Sequence, residues 1–352
     1  MTTIGQRKAD HLALCATDEV AFRQKTTLFE QVRLVHDALP DLDADAIDTS
    51  VTILGKTLRA PIVIAAMTGG TEEAARINRE LAAIAEERGY GFGLGSQRAM
   101  HVRTETKGTY AVREVAPTTL VLGNVGIVQA REMKTAEVEA LARNVGADAL
   151  CVHLNPAMEL VQPGGDRDFR GGLDTIARLV RELPVPVVVK ETGCGLSRSV
   201  GARVRDVGVR HLDVSGAGGT SWVAVETKRA EAALDHTARA LGEALWDWGI
   251  PTAASVALVA PVGFETIIAT GGVGSGLDIA RAVALGATAG GIARPALKAL
   301  SNGGRDGAIA FFEAVERELR AIMLLTGSRD LAALRKAPRI VGGELRLWIE
   351  QA

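Results

Sequence analysis

Short apolar runs alternate with longer amphipathic stretches along most of the chain, and this alternation predicts strands followed by helices. The eight runs are Pro61–Met67, Gly91–Gly95, Thr119–Val125, Ala149–Leu154, Val187–Glu191, His211–Ser215, Thr266–Gly271 and Ala287–Ala293. They are largely apolar rather than alternating, as is typical of parallel strands that are covered on both faces. The pattern therefore predicts a parallel sheet of the α/β class.

The stretches between these runs have the spacing of helices that pack on a sheet. Glu72–Arg88 carries alanines and leucine along one stripe, and Thr135–Val145 repeats the pattern. Ser197 suits the N-cap position of the helical stretch that ends near Gly208. Because eight strand–helix units follow one another, we expect a closed (β/α)8 TIM barrel rather than an open, doubly wound sheet.

The whole chain is predicted to form a single domain. Residues 60–300 form the barrel, residues 1–59 an N-terminal extension, and residues 301–352 C-terminal helices. The extension is polar, contains two helical patches and is expected to fold over a barrel mouth. The connection Thr227–Ala260 is longer than usual, and two closing helices are expected from Asp306 onwards.

Composition excludes several classes of protein. Hydrophobic residues make up 47% of the 352 residues, which favours a large core over disorder. The net charge of -2 gives no basic excess for nucleic acid. Residues 1–11 lack the apolar core of a signal peptide, and no run approaches the roughly 20 apolar residues that span a bilayer. With only Cys15, Cys151 and Cys194, we expect no disulfide framework, a cytoplasmic location and no membrane association.

The predicted strand ends carry the candidate chemistry, because barrel enzymes bind their ligands where the strands end. The ends read Met67-Thr-Gly-Gly70, Gly95-Ser-Gln-Arg98, Gly123-Asn-Val-Gly126, His153-Leu-Asn155, Lys190-Glu191, Ser215 to Trp222, Gly271-Gly272 and Ala293-Arg-Pro295. One glycine-rich turn is more often a plain turn than a ligand site. Polar or glycine residues at nearly every end favour a large polar ligand in the mouth.

Three features have both a functional and a structural interpretation. The turn from Gly271 to Asp278 fits a phosphate site, since small residues let backbone N–H groups approach oxygens, but it also fits a simple strand–helix turn. Lys190 follows an apolar run, so it needs either a polar ligand or a counter-ion such as Glu191. Arg7 and Lys8 are either a solvated terminus or a ligand site. Zinc is not indicated, since paired Cys or His spacing is missing.

In this order, the motifs resemble those of the type 2 isopentenyl diphosphate isomerases. The similarity rests on Arg7-Lys-Ala-Asp-His11, Met67 to Gly70, Gly95 to Arg98, His153 to Asn155, Asp213 to Trp222, Gly271-Gly272 and Ala293 to Lys298. It extends from about residue 5 to the C-terminal helices. The motif from Asp213 to Trp222 and the N-terminal pair Arg7-Lys8 are specific to this family. The glycine pairs are shared with many FMN barrels.

The resemblance implies a flavoenzyme that interconverts isopentenyl and dimethylallyl diphosphate by flavin-assisted proton transfer, with FMN, Mg2+ and NADPH as flavin reductant. By motif match, FMN would contact Met67, Thr68, Gly69, Ser96, Asn124, Lys190, Ser215, Thr220, Gly271, Gly272, Gly274, Ala293 and Arg294. The prenyl diphosphate would contact Arg7, Lys8, His11, Ser96, Arg98, His153, Asn155, Ser221 and Trp222. Glu159 would bind the metal, and the catalytic positions would be Met158, His153 and Lys190. The family also implies a homo-oligomer, a tetramer or octamer.

Three positions depart from the family pattern. Met158 stands where the family has glutamine, Gly164 where glutamate is usual, and Gly274 where arginine is common. A thioether is only a weak acceptor, so Met158 cannot orient or relay a proton as an amide can. Three interpretations stay open: an isomerase, a diverged flavoenzyme acting on another prenyl or allylic diphosphate, and a flavoprotein that turns over poorly.

Other functional classes fit less well. An α-hydroxy-acid oxidase uses the same barrel and FMN, but the strand 6 end from Ser215 to Trp222 lacks the histidine base. An enzyme like inosine monophosphate dehydrogenase needs a loop cysteine. Cys194 is a superficial candidate, but its flanking glycines favour a tight turn. The number of polar strand ends argues against a binding module without catalysis.

Overall fold

Eight parallel strands close into one barrel, as the sequence pattern predicts. The computed structural model describes the backbone of residues 4–352 and the side chains of residues 7, 8 and 10–352. The strands are β1 Val32–Leu34, β2 Val51–Ile53, β3 Lys56–Leu58, β4 Ile62–Ile64, β5 Gly91–Gly93, β6 Val121–Gly126, β7 Ala149–Leu154, β8 Val187–Glu191, β9 His211–Asp213, β10 Thr266–Thr270, β11 Ala289–Ile292 and β12 Arg339–Val341. Strands β4 to β11 form the closed barrel in chain order.

All eight predicted runs contain a barrel strand. Ala149–Leu154 and Val187–Glu191 have the predicted bounds. Other strands are shorter than their apolar runs, and Pro61–Met67 contains only Ile62–Ile64. The chain leaves the sheet early there because its last residues turn into the loops at the barrel mouth.

A helix follows each barrel strand. After β5 this helix is a single turn, and a 3-10 segment continues it. The helices are α1 Ile4–Cys15, α2 Glu72–Arg88, α3 Arg98–Val102, α4 Ile127–Glu132, α5 Thr135–Val145, α6 Pro156–Val161, α7 Gly172–Glu182, α8 Arg198–Asp206, α9 Trp222–Ala232, α10 His236–Ala244, α11 Thr252–Val259, α12 Gly276–Leu285, α13 Arg294–Leu325, α14 Leu331–Lys336 and α15 Gly343–Gln351. The predicted bounds of α2 and α5 are confirmed. Ser197 caps α8 as predicted, since its side chain accepts a hydrogen bond from the Val200 N–H.

Two apolar layers hold the barrel together. The inner layer fills the barrel with side chains such as Leu122, Cys151 and Ile268. The outer layer lies between the strands and the surrounding helices. Ile53 and Leu58 of the β2–β3 hairpin join the inner layer and are almost fully buried, so the hairpin closes the N-terminal end of the barrel.

The N-terminal extension serves both ends of the barrel. The prediction that it covers a mouth applies to α1, which lies at the C-terminal mouth. Of the two helical patches expected, α1 is one. The rest forms short 3-10 turns, β1 and the β2–β3 hairpin, which the sequence analysis did not predict.

The C-terminal part differs from the two helices expected after Asp306. Helix α13 begins already at Arg294 and is kinked at Gly304, where the backbone has φ 61°. It is followed by α14, β12 and α15. Strand β12 pairs antiparallel with β1, so the two ends of the chain are joined. Within residues 4–352, none of the helices has the length and apolar character needed to cross a membrane.

We predict that Leu58→Ala destabilises the protein by about 2–5 kcal/mol, because a buried leucine leaves a cavity when it is truncated. Leu58 is 1% exposed. The free energy of unfolding from urea denaturation measures the effect. Leu39→Ala is the matched control, since Leu39 is 86% exposed, and it should change stability by less than about 0.5 kcal/mol. Equal effects of the two substitutions would show that the hairpin is not part of the barrel core.

Candidate active site

One cavity occupies the C-terminal mouth of the barrel, and the loops after all eight barrel strands contribute to its wall. Helix α1 forms a further wall through residues that include Leu12 and Cys15. Parallel strands in a closed barrel direct all their C-terminal ends to one side. The cavity is therefore where the polar strand ends predicted from the sequence meet.

Most of the residues proposed for the site line this cavity. They are Arg7, Lys8, His11, Met67, Thr68, Ser96, Arg98, Asn124, His153, Asn155, Met158, Glu159, Lys190, Ser215, Thr220, Trp222, Gly271, Gly272, Ala293 and Arg294. Three others lie behind the wall. Gly69 packs so closely on the Tyr110 ring that no Cβ fits there. Ser221 caps α9 and donates to the Trp246 carbonyl. The Gly274 N–H donates to Asp278.

The loops after β9 and β10 form a backbone surface without side chains. Gly271 and Gly272 have φ of 105° and 75°, which glycine adopts without strain. A Cβ on Gly219 would collide with the Gly272 nitrogen, and one on Gly271 would collide with the Gly216 carbonyl. The two loops can therefore pack this closely only with glycine. Such backbone surfaces accommodate anionic groups well.

Several buried polar atoms at the cavity find no hydrogen-bond partner among the described residues. They include the hydroxyls of Thr68 and Thr270, the Arg7 Nε and the Arg294 Nη1. Both threonines are at most 5% exposed. Buried polar atoms are nearly always paired in folded proteins, so unpaired atoms grouped at one cavity indicate that a ligand completes the site.

A row of inward-facing polar residues crosses three neighbouring strands. His153, Lys190 and Asp213 are register partners on β7, β8 and β9. The Lys190 Nζ lies 2.8 Å from Asp213 Oδ2, and both side chains are buried. The sequence left open whether Lys190 meets a polar ligand or a counter-ion. The structure gives it a counter-ion, and Lys190 also lines the cavity, where a ligand can reach it. That counter-ion is Asp213 and not Glu191, whose carboxylate accepts backbone N–H groups of Thr192 and Cys194.

His153 is held neutral by its surroundings. Its Nδ1 lies 2.8 Å from Asn124 Oδ1. Burial lowers the pKa of His153 to about 3, and the nearby ammonium groups of Lys8 and Lys190 act in the same direction. At neutral pH the ring is therefore an uncharged hydrogen-bonding group at the mouth.

The cationic residues of α1 are placed over the cavity beside Arg98. The Arg7 Nη1 donates to Gln162 Oε1 at 3.1 Å. Burial lowers the pKa of Arg7, and the positive charge of Arg98 lowers it further. Burial and the charge of Arg7 lower the pKa of Lys8 to about 8. Positive charges kept together against their repulsion indicate that the site binds an anion.

Glu159 lies close to Arg7, because Gln162 forms hydrogen bonds with both side chains. Its carboxylate accepts hydrogen bonds from Asn155 Nδ2 at 2.9 Å, from Gln162 Nε2 at 3.2 Å and from the Asp166 N–H at 2.8 Å. It is the only carboxylate among the described residues that line the cavity. Nowhere among the described residues do three or more His, Cys, Asp or Glu side chains form a group that could hold a metal ion. The Met158 sulfur lies 3.9 Å from Asn155 Nδ2.

The sequence analysis missed Glu226, which fixes α1 in place. Glu226 is fully buried on α9, and its Oε1 lies 2.7 Å from His11 Nε2. Its Oε2 accepts from Arg229 at 2.5 Å. Burial lowers the pKa of His11, although Glu226 acts against this. The signal was available, since a glutamate within the apolar run Val223-Ala-Val225 must have a buried partner.

Comparisons with known proteins agree on the family. The sequence profile of the family described as FMN-dependent dehydrogenase matches residues 2–158 and 163–340. The isopentenyl-diphosphate delta-isomerase of Methanothermobacter thermautotrophicus is 44% identical over 349 residues, covering 99% of this chain and 96% of the relative. That of a Synechococcus species is 46% identical over 337 residues, with 95% and 96% covered.

Solved structures show the same fold at low sequence identity. A lactate oxidase of Pediococcus acidilactici superposes with a TM-score of 0.69 at 15% identity, covering 97% of this chain and 96% of the other. A mandelate oxidase solved with an FMN adduct gives a TM-score of 0.63 at 18% identity, with 96% and 98% covered. At these identities the likeness concerns the fold alone.

We predict that the His153 ring stays neutral in the ligand-free protein between about pH 8 and about pH 5, because its pKa lies far below the usual value of about 6.5. NMR titration of the ring resonances, assigned with His153→Gln, checks this. Between pH 6.5 and 3 the unfolded chain binds one proton more at this site. The free energy of unfolding should therefore fall on acidification by up to about 1.4 kcal/mol per pH unit, and less in His153→Gln. A midpoint near 6.5 in the folded protein would contradict the prediction.

Proposed function

The chain belongs to the FMN-dependent dehydrogenase family and within it to the type 2 isopentenyl diphosphate isomerases, and on this basis we propose that it converts isopentenyl diphosphate into dimethylallyl diphosphate with FMN as cofactor. One observation carries the proposal. The cations Arg7, Lys8 and Arg98 share a single cavity with buried Lys190 and a glycine surface. Such a cavity suits a flavin and a diphosphate side by side.

FMN fits the deeper part of the cavity. Its phosphate would lie on the backbone surface of Gly271 and Gly272, and Thr68 and Thr270 would gain the partners that their buried hydroxyls lack. The Lys190 cation would face the pyrimidine side of the ring. Further contacts would come from Met67, Ser96, Asn124, Ser215, Thr220, Ala293 and Arg294. When bound, reduced FMN supplies a group that can give and take a proton beside the substrate double bond.

The diphosphate would bind nearer to α1. Arginine and lysine form charge-assisted hydrogen bonds to phosphate oxygens, and a bound anion would relieve the repulsion that lowers the pKa of Arg7 and Lys8. Arg98, His153 and Asn155 would complete the diphosphate site. Because α1 carries Arg7 and Lys8, a bound diphosphate would hold α1 against the mouth.

Glu159 is proposed to bind Mg2+ together with the diphosphate. Magnesium is usually held by one or two carboxylates, substrate phosphates and water, so a single carboxylate in the cavity suffices. The two Glu159 oxygens offer about four acceptor positions, and the three hydrogen bonds described above leave room for one further interaction. Asn155 and Gln162 then keep the carboxylate in place for the metal.

The side chains proposed to surround the reacting carbons differ in their capacity to form hydrogen bonds. Neutral His153 can donate or accept a hydrogen bond, whereas the Met158 thioether is only a weak acceptor. Trp222 and Leu12 line the same cavity and add apolar surface to it. We therefore assign Met158 to shaping the pocket, and expect that its side chain takes no part in proton transfer.

The flavin reductant, the cellular location and the oligomeric state are proposed on grounds other than the geometry of the cavity. Since the isomerisation has no net redox change, a separate donor, proposed to be NADPH, must first reduce the flavin. Free Cys15, Cys151 and Cys194 favour a reducing cytoplasm. A homo-oligomer is favoured by exposed apolar residues on and around the β1–β12 pair, including Leu39, Leu325 and Ile340.

A different prenyl diphosphate as substrate is not favoured despite Met158. Relatives that are 44% and 46% identical over nearly the whole chain carry the isomerase name. Although Gly164 and Gly274 also depart from the isomerase pattern, Arg7, Lys8, Arg98 and Glu159 match it.

We predict that the purified protein, reduced anaerobically with NADPH in the presence of FMN and Mg2+, forms dimethylallyl diphosphate from isopentenyl diphosphate. In D2O the product should contain deuterium, because isomerisation exchanges a substrate proton. Proton NMR follows both signals. Omission of FMN is the control and should abolish turnover. If FMN is bound and reduced but isopentenyl diphosphate persists, the isomerase proposal is wrong.

We predict that Met158→Gln increases kcat by up to about tenfold, since an amide adds a hydrogen-bond donor and a stronger acceptor at this position, and a hydrogen bond made in the transition state contributes about 1 kcal/mol. Met158→Leu is the matched control, because it keeps an apolar side chain of similar volume, and it should leave kcat within about twofold. Steady-state kinetics under reducing conditions compare the three proteins. If leucine slows the reaction strongly, the thioether itself takes part.

A further inference from the structure

Asp213 does not line the cavity, yet it contacts two residues that do. Its Oδ2 lies 2.8 Å from the Lys190 Nζ. Its Oδ1 accepts a hydrogen bond from the Ser215 N–H at 3.2 Å. Ser215 has φ 37°, a left-handed conformation that is strained for a residue with a side chain. One buried carboxylate therefore holds both the cation and the strained turn of the candidate flavin site.

The strand register places this pair at the top of the barrel interior. Lys190 and Asp213 are register partners on adjacent parallel strands, so their side chains point to the same side. Below them lie apolar side chains of the inner layer, among them Val188 and Ile268. Lys190 is 6% exposed and Asp213 is 5% exposed. Away from water, each charge depends on the other.

The ion pair with Asp213 reduces the net positive charge that Lys190 contributes to the cavity. A lone buried ammonium group would expose one full positive charge, whereas an ammonium group with a carboxylate at 2.8 Å forms a nearly neutral pair with a dipole. Among the described residues, Asp213 forms the one ion pair of Lys190. The neighbouring Glu191 is turned towards the backbone N–H groups of its own loop.

We propose that Asp213 is a positioning residue that fixes Lys190 and partly neutralises it, and thereby sets the reduction potential of the bound flavin. This inference rests on the proposed function in one respect, namely that FMN occupies the cavity. Reduction of FMN adds negative charge, which a nearby cation stabilises. Partial neutralisation of Lys190 leaves the anionic reduced flavin less stabilised, and so makes it a better electron donor.

The test is the reduction potential of FMN bound to Asp213→Asn. Asparagine removes the charge with little change in shape and keeps one of the two acceptor oxygens, so it retains either the Lys190 contact or the Ser215 N–H contact. We expect a more positive potential, with the equilibrium constant for two-electron reduction raised at least about tenfold, which is about 30 mV. Equilibration with reference dyes measures the potential, and flavin absorbance measures FMN occupancy.

Asp148→Asn is the matched control. Asp148 is also an ion-paired aspartate at the end of a barrel strand, but it pairs with Arg113 at the N-terminal end. Its substitution removes the same charge far from the cavity and should leave the potential unchanged. An equal shift in both variants would show a general effect of net charge and would overturn the proposal.

A double-mutant cycle separates action through Lys190 from a direct effect on the flavin. In a Lys190→Gln background, adding Asp213→Asn should leave the potential unchanged, because the cation through which Asp213 acts is gone. The comparison remains decisive if Asp213→Asn alone does not fold, since neither protein contains an unpaired buried lysine and the Asp213 carboxylate of Lys190→Gln keeps its hydrogen bond from the Ser215 N–H. A shift in this background overturns the proposal. Failure of the wild-type protein to bind FMN would instead refute the proposed function.

Discussion

Closure of eight parallel strands into one barrel is the constraint on which the site depends. Because the strands are parallel, their C-terminal ends meet at one mouth, and because side chains alternate, every second residue points inward. Apolar residues fill the lower part of the barrel, where the β2–β3 hairpin seals it. Near the C-terminal end the inward positions become polar, as at His153, Lys190 and Asp213. The polar residues at the bottom of the site therefore lie directly on the apolar core inside the barrel.

The mouth of the barrel carries more positive than negative charge, and this excess favours an anionic ligand. Arg7, Lys8 and Arg98 gather on one side, whereas the carboxylates nearby are occupied: Glu159 by amide and backbone donors, Glu226 by His11 and Arg229. Burial makes this arrangement costly, as the lowered pKa of Lys8 shows. An anionic ligand would supply the missing charge. Lys190 is a distinct case, since its counter-ion is part of the next strand.

Sequence reasoning predicted the barrel because long apolar runs of parallel strands are a strong local signal. It placed strand ends less well, as at Pro61–Met67, because the residue at which a strand leaves the sheet depends on its neighbours. It assigned no strand to the β2–β3 hairpin or to β12, because these strands lie outside the repeating strand–helix pattern that identified the barrel strands. Ser221 shows a comparable limit for the site: its place in the motif was clear, but its role as a helix cap depends on α9 and Trp246.

The sequence by itself determined the fold class and the glycine turns at the mouth, because each depends on contiguous residues, whereas the cations for an anionic ligand were implied by the similarity of motifs to a known family. Only the tertiary structure decided which charges are paired. Lys190 and Asp213 are 2.8 Å apart although 23 residues separate them in the chain, and His11 meets Glu226 across 215 residues. Electrostatic energy depends on distance and burial, and neither is encoded in sequence spacing.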